Sequence, residues 1–444
     1  MIKSNLKLLP NAKKILLKER LVFALGRSLI LFFLFLSSCV FSIEGSKNLN
    51  PDVAKTKPSI SILSLGALKL SGDVNVYTHL FSAKDNGVKI PRNTTSGEKV
   101  QTLIWELECN LYAKYFFKHT FAEANLRFDN DMGTQGGETG GIELHRAFMG
   151  YQFFDATTTH LDLIIGRRII SDLFESKVQY YYLTRIDGVY VDFHHAFHVF
   201  ADVGFKGAGI VYNFKDQHYA YIVELSIRPL AAKGMSFKYS FTNWRKKGFS
   251  DIYDLWGNAQ NSDGVPYGRI KDNPRYRFEI SQWILGYNFH LNTIPINVYG
   301  AFLWNHAAKK SALFGFKKKN KAWYLGSKIG QMGEQNSYSF EFIYQNVEAQ
   351  SVPDWDMAGV GTGNPRFNMI YGPAFDDFTG EQILVTQKNA NGDVNFKGFE
   401  IDFQYAITKN IHLELIYYHS INEDKSIGPF RRFHDLEVAM HYFF

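Results

Sequence analysis

Between Gly166 and Gly188 the chain reads GRRIISDLFESKVQYYYLTRIDG, which sets seven charged side chains among apolar ones: Arg167, Arg168, Asp172, Glu175, Lys177, Arg185 and Asp187. Acids and bases mixed in this way offer no acid–base reaction of their own. Folded into a narrow water path, they would set a field across it that orders water and disfavours bulky apolar solutes. Catalytic chemistry finds little support elsewhere in the sequence. There is no G-x-S-x-G elbow and no Ser/His/Asp cluster that one rim would collect. His194, His195 and His198 have metal-ligand character, but they fall at a turn between strands instead of on one helix face. Asp129, Asp131 and Glu138 lie in a Gly-rich segment whose spacing departs from a calcium loop, and that segment lacks the lysine and the strand-to-helix setting of a phosphate loop. The sequence therefore predicts no metal, no cofactor and no enzyme activity.

The elements that would carry these charges alternate with a period of two. In WELECNLYAKYFFK, Trp105, Leu107, Cys109, Leu111, Ala113, Tyr115 and Phe117 share one face, and Glu106, Glu108, Asn110, Tyr112, Lys114 and Lys118 share the other. Tyr219, Tyr221, Val223, Leu225 and Ile227 oppose Glu224, Ser226 and Arg228 in the same manner, as do Phe399, Ile401, Phe403 and Tyr405 against Glu400, Asp402 and Gln404. The last strand sets Leu436, Val438, Met440, Tyr442 and Phe444 against Glu437, Ala439 and His441. One face avoids charge throughout. The segment 276–289 breaks phase, from Phe278 and Ile280 to Trp283 and Leu285, which predicts a bulge or a shifted boundary.

Composition supports a barrel with a wet interior. The 444 residues are 45% hydrophobic and 16% aromatic, with 39 Phe and 25 Tyr. Aromatic girdles outside and a polar lumen inside give this combination. The formal charge of +6 does not describe the barrel: residues 1–42 hold seven of the 49 basic residues and one of the 43 acidic ones. The balanced remainder predicts no nucleic-acid partner and weak ion selectivity. The basic start followed by LILFFLFLSSCVFS reads as a signal peptide over 1–42, cleaved near Ser42 or at a lipobox of Leu36, Ser37, Ser38 and Cys39. A polar linker (43–65) and a barrel (66–444) follow.

Sixteen strands are expected, near 67–80, 101–117, 119–129, 143–154, 158–168, 187–194, 197–213, 218–228, 233–244, 276–289, 294–305, 321–331, 336–347, 394–407, 410–420 and 431–444. Connections after even-numbered strands are short, such as KHT, HHAF and TKN. Those after odd-numbered strands are long, as at 245–275, 306–320 and 348–393, with KDQH the exception. A soluble sandwich has no reason to sort loop length by parity. The expected fold is therefore all-β, a closed antiparallel transmembrane barrel with short periplasmic turns and long external loops. Inward positions nominate Glu106, Glu108, Lys114, Glu123, Arg127, Arg146, Glu224, Glu341, Glu400 and Asp402 as its wall.

The Gly166-Arg167-Arg168 strand end, the Phe174-Glu175 loop, the Arg185-x-Asp187-Gly188 return and the terminal Phe444 together resemble the Gram-negative outer-membrane porin families. The resemblance implies passive diffusion of small hydrophilic solutes or ions through a water-filled pore in the outer membrane. It implies that the loop 169–186 folds into the channel, with Arg168, Asp172, Glu175, Lys177 and Arg185 at its constriction. It also implies outer-membrane lipids and the barrel-assembly machinery as partners, with Tyr442 and Phe444 as the assembly signal, and a homotrimer. Two other classes remain open on the residues alone: a structural or adhesive barrel using loops 245–275 and 348–393, and an outer-membrane hydrolase.

Overall fold

A computed structural model describes residues 67–90, 103–131, 141–156, 158–181, 184–197, 200–213, 218–246, 278–308, 310, 317–353, 356–360, 374–375, 382–383 and 394–444. The segments expected to be a signal peptide (1–42) and a polar linker (43–65), with Cys39, lie outside these residues. The strands are β1 (Ala67–Asp85), β2 (Val88–Ile90), β3 (Leu103–Phe117), β4 (Thr120–Asp131), β5 (Gly141–Asp155), β6 (Thr159–Ile169), β7 (Arg185–Phe197), β8 (Ala201–Asn213), β9 (His218–Pro229) and β10 (Met235–Lys246). They continue with β11 (Phe278–Leu291), β12 (Ile294–Asn305), β13 (Lys321–Gly330), β14 (Tyr338–Val347), β15 (Ala374–Phe375), β16 (Gln382–Ile383), β17 (Phe396–Ala406), β18 (Ile411–Asn422) and β19 (Arg431–Phe443).

Sixteen of them form one closed antiparallel barrel in which β1 pairs with both β3 and β19. Each expected strand is present, with ends displaced by a few residues. The two-residue ladder β15–β16 and the short β2, which doubles back on the end of β1, were not anticipated. Closure follows from hydrogen bonding: in a hydrocarbon setting an open edge would leave its N–H and C=O groups without partners. The seam extends through the last residue, because Gly72 and Phe444 exchange both backbone hydrogen bonds at 3.0 Å.

The alternation read from sequence survives as inside and outside. Trp105, Leu111, Leu285, Leu325, Met440 and Phe444 project outward and are exposed, while Asn110, Asp435 and Ala439 on the opposite parity are buried. Cys109 is a free thiol. Leu111→Arg, midway along β3, is expected to destabilise the inserted barrel by about 2–4 kcal/mol, because the cation meets hydrocarbon. Urea unfolding in bilayers checks this, and an unchanged midpoint would place that face in water.

Candidate functional site: a lumen with one covered wall

β6 and β7 pair as far as Ile169 opposite Arg185, so the chain leaves the wall after Ile169 and rejoins it at Arg185, between neighbouring strands. The excursion opens with a single 3-10 turn, Ile170–Asp172. It then runs inside the barrel. Ile170, Leu173, Phe174, Val178 and Tyr180 are buried against Ile210, Ile222, Trp244, Ile280, Tyr324 and Ile343, which point inward from β8, β9, β10, β11, β13 and β14. Burial of this apolar area holds the loop against this arc.

This seat accounts for the phase break in 276–289. The pairing of β11 with β10 and β12 runs without a shift from Phe278 onward, so there is no bulge. Phe278 and Ile280 face inward onto the loop, whereas Trp283, Leu285 and Tyr287 share the outward parity. Both faces are apolar at different heights of one regular strand. Bulges occur elsewhere, where β4 meets β5 between Asn125 and Leu126, where β5 meets β6 between Gln152 and Phe154, and where β8 meets β9 between Val211 and Asn213.

Polar groups from successive strands clamp the loop backbone. Lys206 Nζ donates to the Leu173 carbonyl at 3.0 Å, Gln282 Nε2 to that of Glu175 at 2.7 Å, and Gln345 Nε2 to that of Lys177 at 2.8 Å. The Glu175 N–H donates to Glu224 at 3.2 Å, and the Tyr180 hydroxyl bonds Thr242. A carbonyl brought inside without such a donor would cost about 1–3 kcal/mol.

A second inward segment, which the sequence reading did not find, lies over the first. After β14 the chain buries Ala349, Val352, Met357 and Val360 in the same apolar cluster. Met357 bridges Gln179; the Tyr180 N–H donates to the Asp356 carbonyl at 3.0 Å, and the Ala358 N–H to that of Val178 at 3.2 Å. Asp356 itself has no exposed surface. Its Oδ1 accepts the Tyr181 N–H at 3.1 Å, and its Oδ2 has no partner. Burial without a neighbouring cation pushes its carboxyl up to about 7, although hydrogen bonds from Thr184 and the Tyr180 and Tyr181 amides oppose the rise.

The candidate constriction residues fall into separate groups. Asp172 receives the Arg146 guanidinium at 2.9 Å, and Arg146 reaches Glu123 at 3.6 Å, which also takes Lys114 at 3.1 Å. Arg168 lies 4.7 Å above the Phe148 ring. Glu175 pairs with Lys238. Lys177 pairs with Glu341 at 3.1 Å and stands over the Tyr299 ring, whose hydroxyl also meets Glu341. Arg185 stands apart: it begins β7 on the parity opposite buried Ile186, and its guanidinium binds Glu143 of β5. Tyr180 is 1% exposed and anchors the loop.

The remaining arc, from β17 through β18, β19 and β1 to β5, touches this cluster mainly through Phe396, Tyr418, Phe121 and Phe148 and otherwise carries polar groups. Arg127 of β4 bridges Glu108 at 2.5 Å and Asp129 at 2.8 Å. His79 stands among Asp435, Glu437 and Glu106 at 3.4, 3.8 and 3.9 Å. Glu414 accepts Gln404 Nε2 at 2.5 Å and stands 2.9 Å from His441, and Asp402 accepts the same amide at 3.2 Å. Glu341 and Asp402 are directly opposite each other across β14 and β17, with Glu400 one inward position beyond. Among the described residues no group of His, Cys, Asp and Glu has the geometry of a metal site. His195 bonds Thr159 at 2.8 Å, while His198 and Glu138 lie outside the described residues.

No protein-family model matches the sequence, and no curated protein matches it. Among solved structures, Pseudomonas putida OprB at high pH aligns with 8% identity and a TM-score of 0.49, covering 85% of this chain and 94% of that one. A triple mutant of the Rhodopseudomonas blastica porin aligns with 9% identity and a TM-score of 0.41, covering 85% of this chain and all of the other. An engineered protein described by its asymmetric conductivity aligns with 9% identity, the same coverage and a TM-score of 0.42.

Proposed function

We propose that the protein is a porin of a bacterial outer membrane, exported by the signal peptide over residues 1–42, through which small hydrophilic solutes and ions diffuse passively. The observation that carries this reading is the unequal lining of the bore: one arc is packed against the apolar inward loop, and the opposite arc carries acidic and basic side chains in ion pairs, a lining that suits a polar path. Water and solute would pass between the loop and that arc, near Asp172, Lys177 and Glu341. Phe444, hydrogen-bonded into the seam and outward-facing, suits the terminal signal of barrel assembly. Outer-leaflet and inner-leaflet lipids would meet the outward apolar face.

Wall charge is not distributed as the balanced total suggests. Glu341, Asp402 and Glu437 lie along one cross-strand row that ends at His79, with Glu414 and Glu106 in the next. Arg146 and Arg168 stand on β5 and β6, to the side of this acidic arc. An acid-lined path favours cations. Purified protein in a planar bilayer is therefore expected to conduct, with a reversal potential in a potassium chloride gradient that shows potassium preferred over chloride. Asp402→Asn with Glu414→Gln is expected to bring the ratio close to unity. Absence of conductance would defeat the channel, and chloride preference would defeat the acidic arc as its selector.

A further inference from the structure

At the loop end of the barrel, one outward cross-strand row carries cations on β2, β1, β19 and β17. Lys84 of β1 is directly opposite Arg432 of β19 on one side and directly opposite Lys89 of β2 on the other. Arg432 is opposite Ile421 of β18, and Ile421 is opposite Lys397 of β17. Lys84 and Arg432 share the parity of the exposed outward residues Leu80 and Leu436. Lys84, Lys89 and Arg432 are exposed, and none of the three forms an ion pair with a described residue.

Like charges directly opposite on a sheet destabilise the pair, so two successive cation–cation pairings need a compensating anion. Their height indicates what that anion is. Two residues toward the barrel waist on the same face, His434 stacks on His419 with ring centroids 4.4 Å apart, and His419 packs against Phe399 at 5.4 Å. The Tyr417 hydroxyl bonds His434 at 2.8 Å. Rings with one polar edge, above the exposed Leu80 and Leu436, mark the level where hydrocarbon gives way to head groups. A step of two residues is about 7 Å along a strand, which brings the cations to the depth of lipid phosphates.

We propose that the Lys84–Lys89–Arg432 row is a docking surface for the phosphate-bearing head group of an anionic lipid in the leaflet at the loop end. The inference rests on the barrel being embedded in a bilayer, and it is independent of conduction. A flat row without an enclosing cavity suits several phosphates held at one height by their acyl chains better than a free ion. Lys397 extends the row by one strand and serves as its flank.

The test uses the full chain, folded in neutral detergent and titrated with dihexanoyl phosphatidylglycerol, dihexanoyl phosphatidylcholine or inorganic phosphate, with bound lipid counted by native mass spectrometry. The wild type is expected to hold the anionic lipid roughly tenfold more tightly than the zwitterionic one, and Lys84→Gln/Lys89→Gln/Arg432→Gln to lose that preference. Inorganic phosphate at millimolar concentration is expected to leave lipid binding unchanged. If the triple variant does not fold, Lys84→Gln and Arg432→Gln are read singly, each expected to lose part of the preference. An undiminished preference in the variants overturns the proposal, and displacement of lipid by inorganic phosphate alone reassigns the row to the free ion. Conductance in neutral bilayers is expected to be the same in variant and wild type, so its absence from both would count against the porin reading and not against this surface.

Discussion

Phe174→Ala combined with Tyr180→Ala is expected to raise single-channel conductance at least about twofold and to broaden its distribution of levels. The two rings are 2% and 1% exposed and meet at 5.8 Å inside the cluster formed with Trp244, Ile280 and Tyr324. Truncating a buried aromatic costs about 3–5 kcal/mol, since the transfer energy is lost and a cavity remains. The barrel ladder does not depend on either ring, so the loss falls on the seating of the loop. The clamps from Lys206, Gln282 and Gln345 are then too weak alone: each such bond contributes only about 0.5–1.5 kcal/mol net. A loop freed from β8–β14 would no longer hold a fixed cross-section, and protease added from the loop side should reach it. Unchanged conductance together with unchanged proteolysis would show that the apolar seat does not hold the loop.

Raising the pH from 5 to 8.5 is expected to loosen the inward segments of the wild type and to leave Asp356→Asn unaffected. Asp356 is an acid whose carboxyl in the folded latch is pushed to about 7, above the ordinary value of 3.8. Below pH 4 both seated and released forms hold the proton, and the latch has its full stability. Between pH 4 and 7 the released form ionises while the seated form does not, so stability falls steadily with pH. Above 7 the seated carboxylate carries the whole penalty, on the order of a few kcal/mol. The orphaned Oδ2 gives the physical cause, because ionisation would bury a negative oxygen without a donor. Hydrogen exchange of the Tyr180, Tyr181 and Ala358 amides should accelerate with pH beyond its intrinsic base catalysis in the wild type only. Equal acceleration in Asp356→Asn would assign the effect to another group.

Three parts of this picture were unequally legible in the sequence. Strand positions were, because a period of two over ten or more residues survives any tertiary context that keeps one face in lipid. Leu107 and Leu111 against Glu108 and Asn110 could face no other way. The inward loop was partly legible: charges interleaved with apolar residues at 167–187 indicated a segment with two kinds of neighbour. The role of each charge was not. Arg185 counts among the same residues as Lys177, yet it binds Glu143 while Lys177 reaches Glu341 on β14.

The phase break at Phe278 and Ile280 suggested a bulge or a shifted boundary; the strand runs Phe278–Leu291 and has no bulge. An apolar residue on the inward parity of a barrel strand breaks the alternation, and a bulge is the usual local reason. Here the reason is not local: the partner is a loop that lies about a hundred residues earlier in the chain. The segment around Asp356 and Met357 carried even less signal, since a few small and apolar residues after a strand look like any long connection.

What the residues determined without help was the closed barrel, its inside and its outside, because those follow from backbone hydrogen bonding and a two-residue period. Only the folded chain decided which wall the loop covers and which partner each wall carboxylate meets. Those choices depend on contacts between strands and segments far apart in sequence, and no periodicity along the chain encodes them.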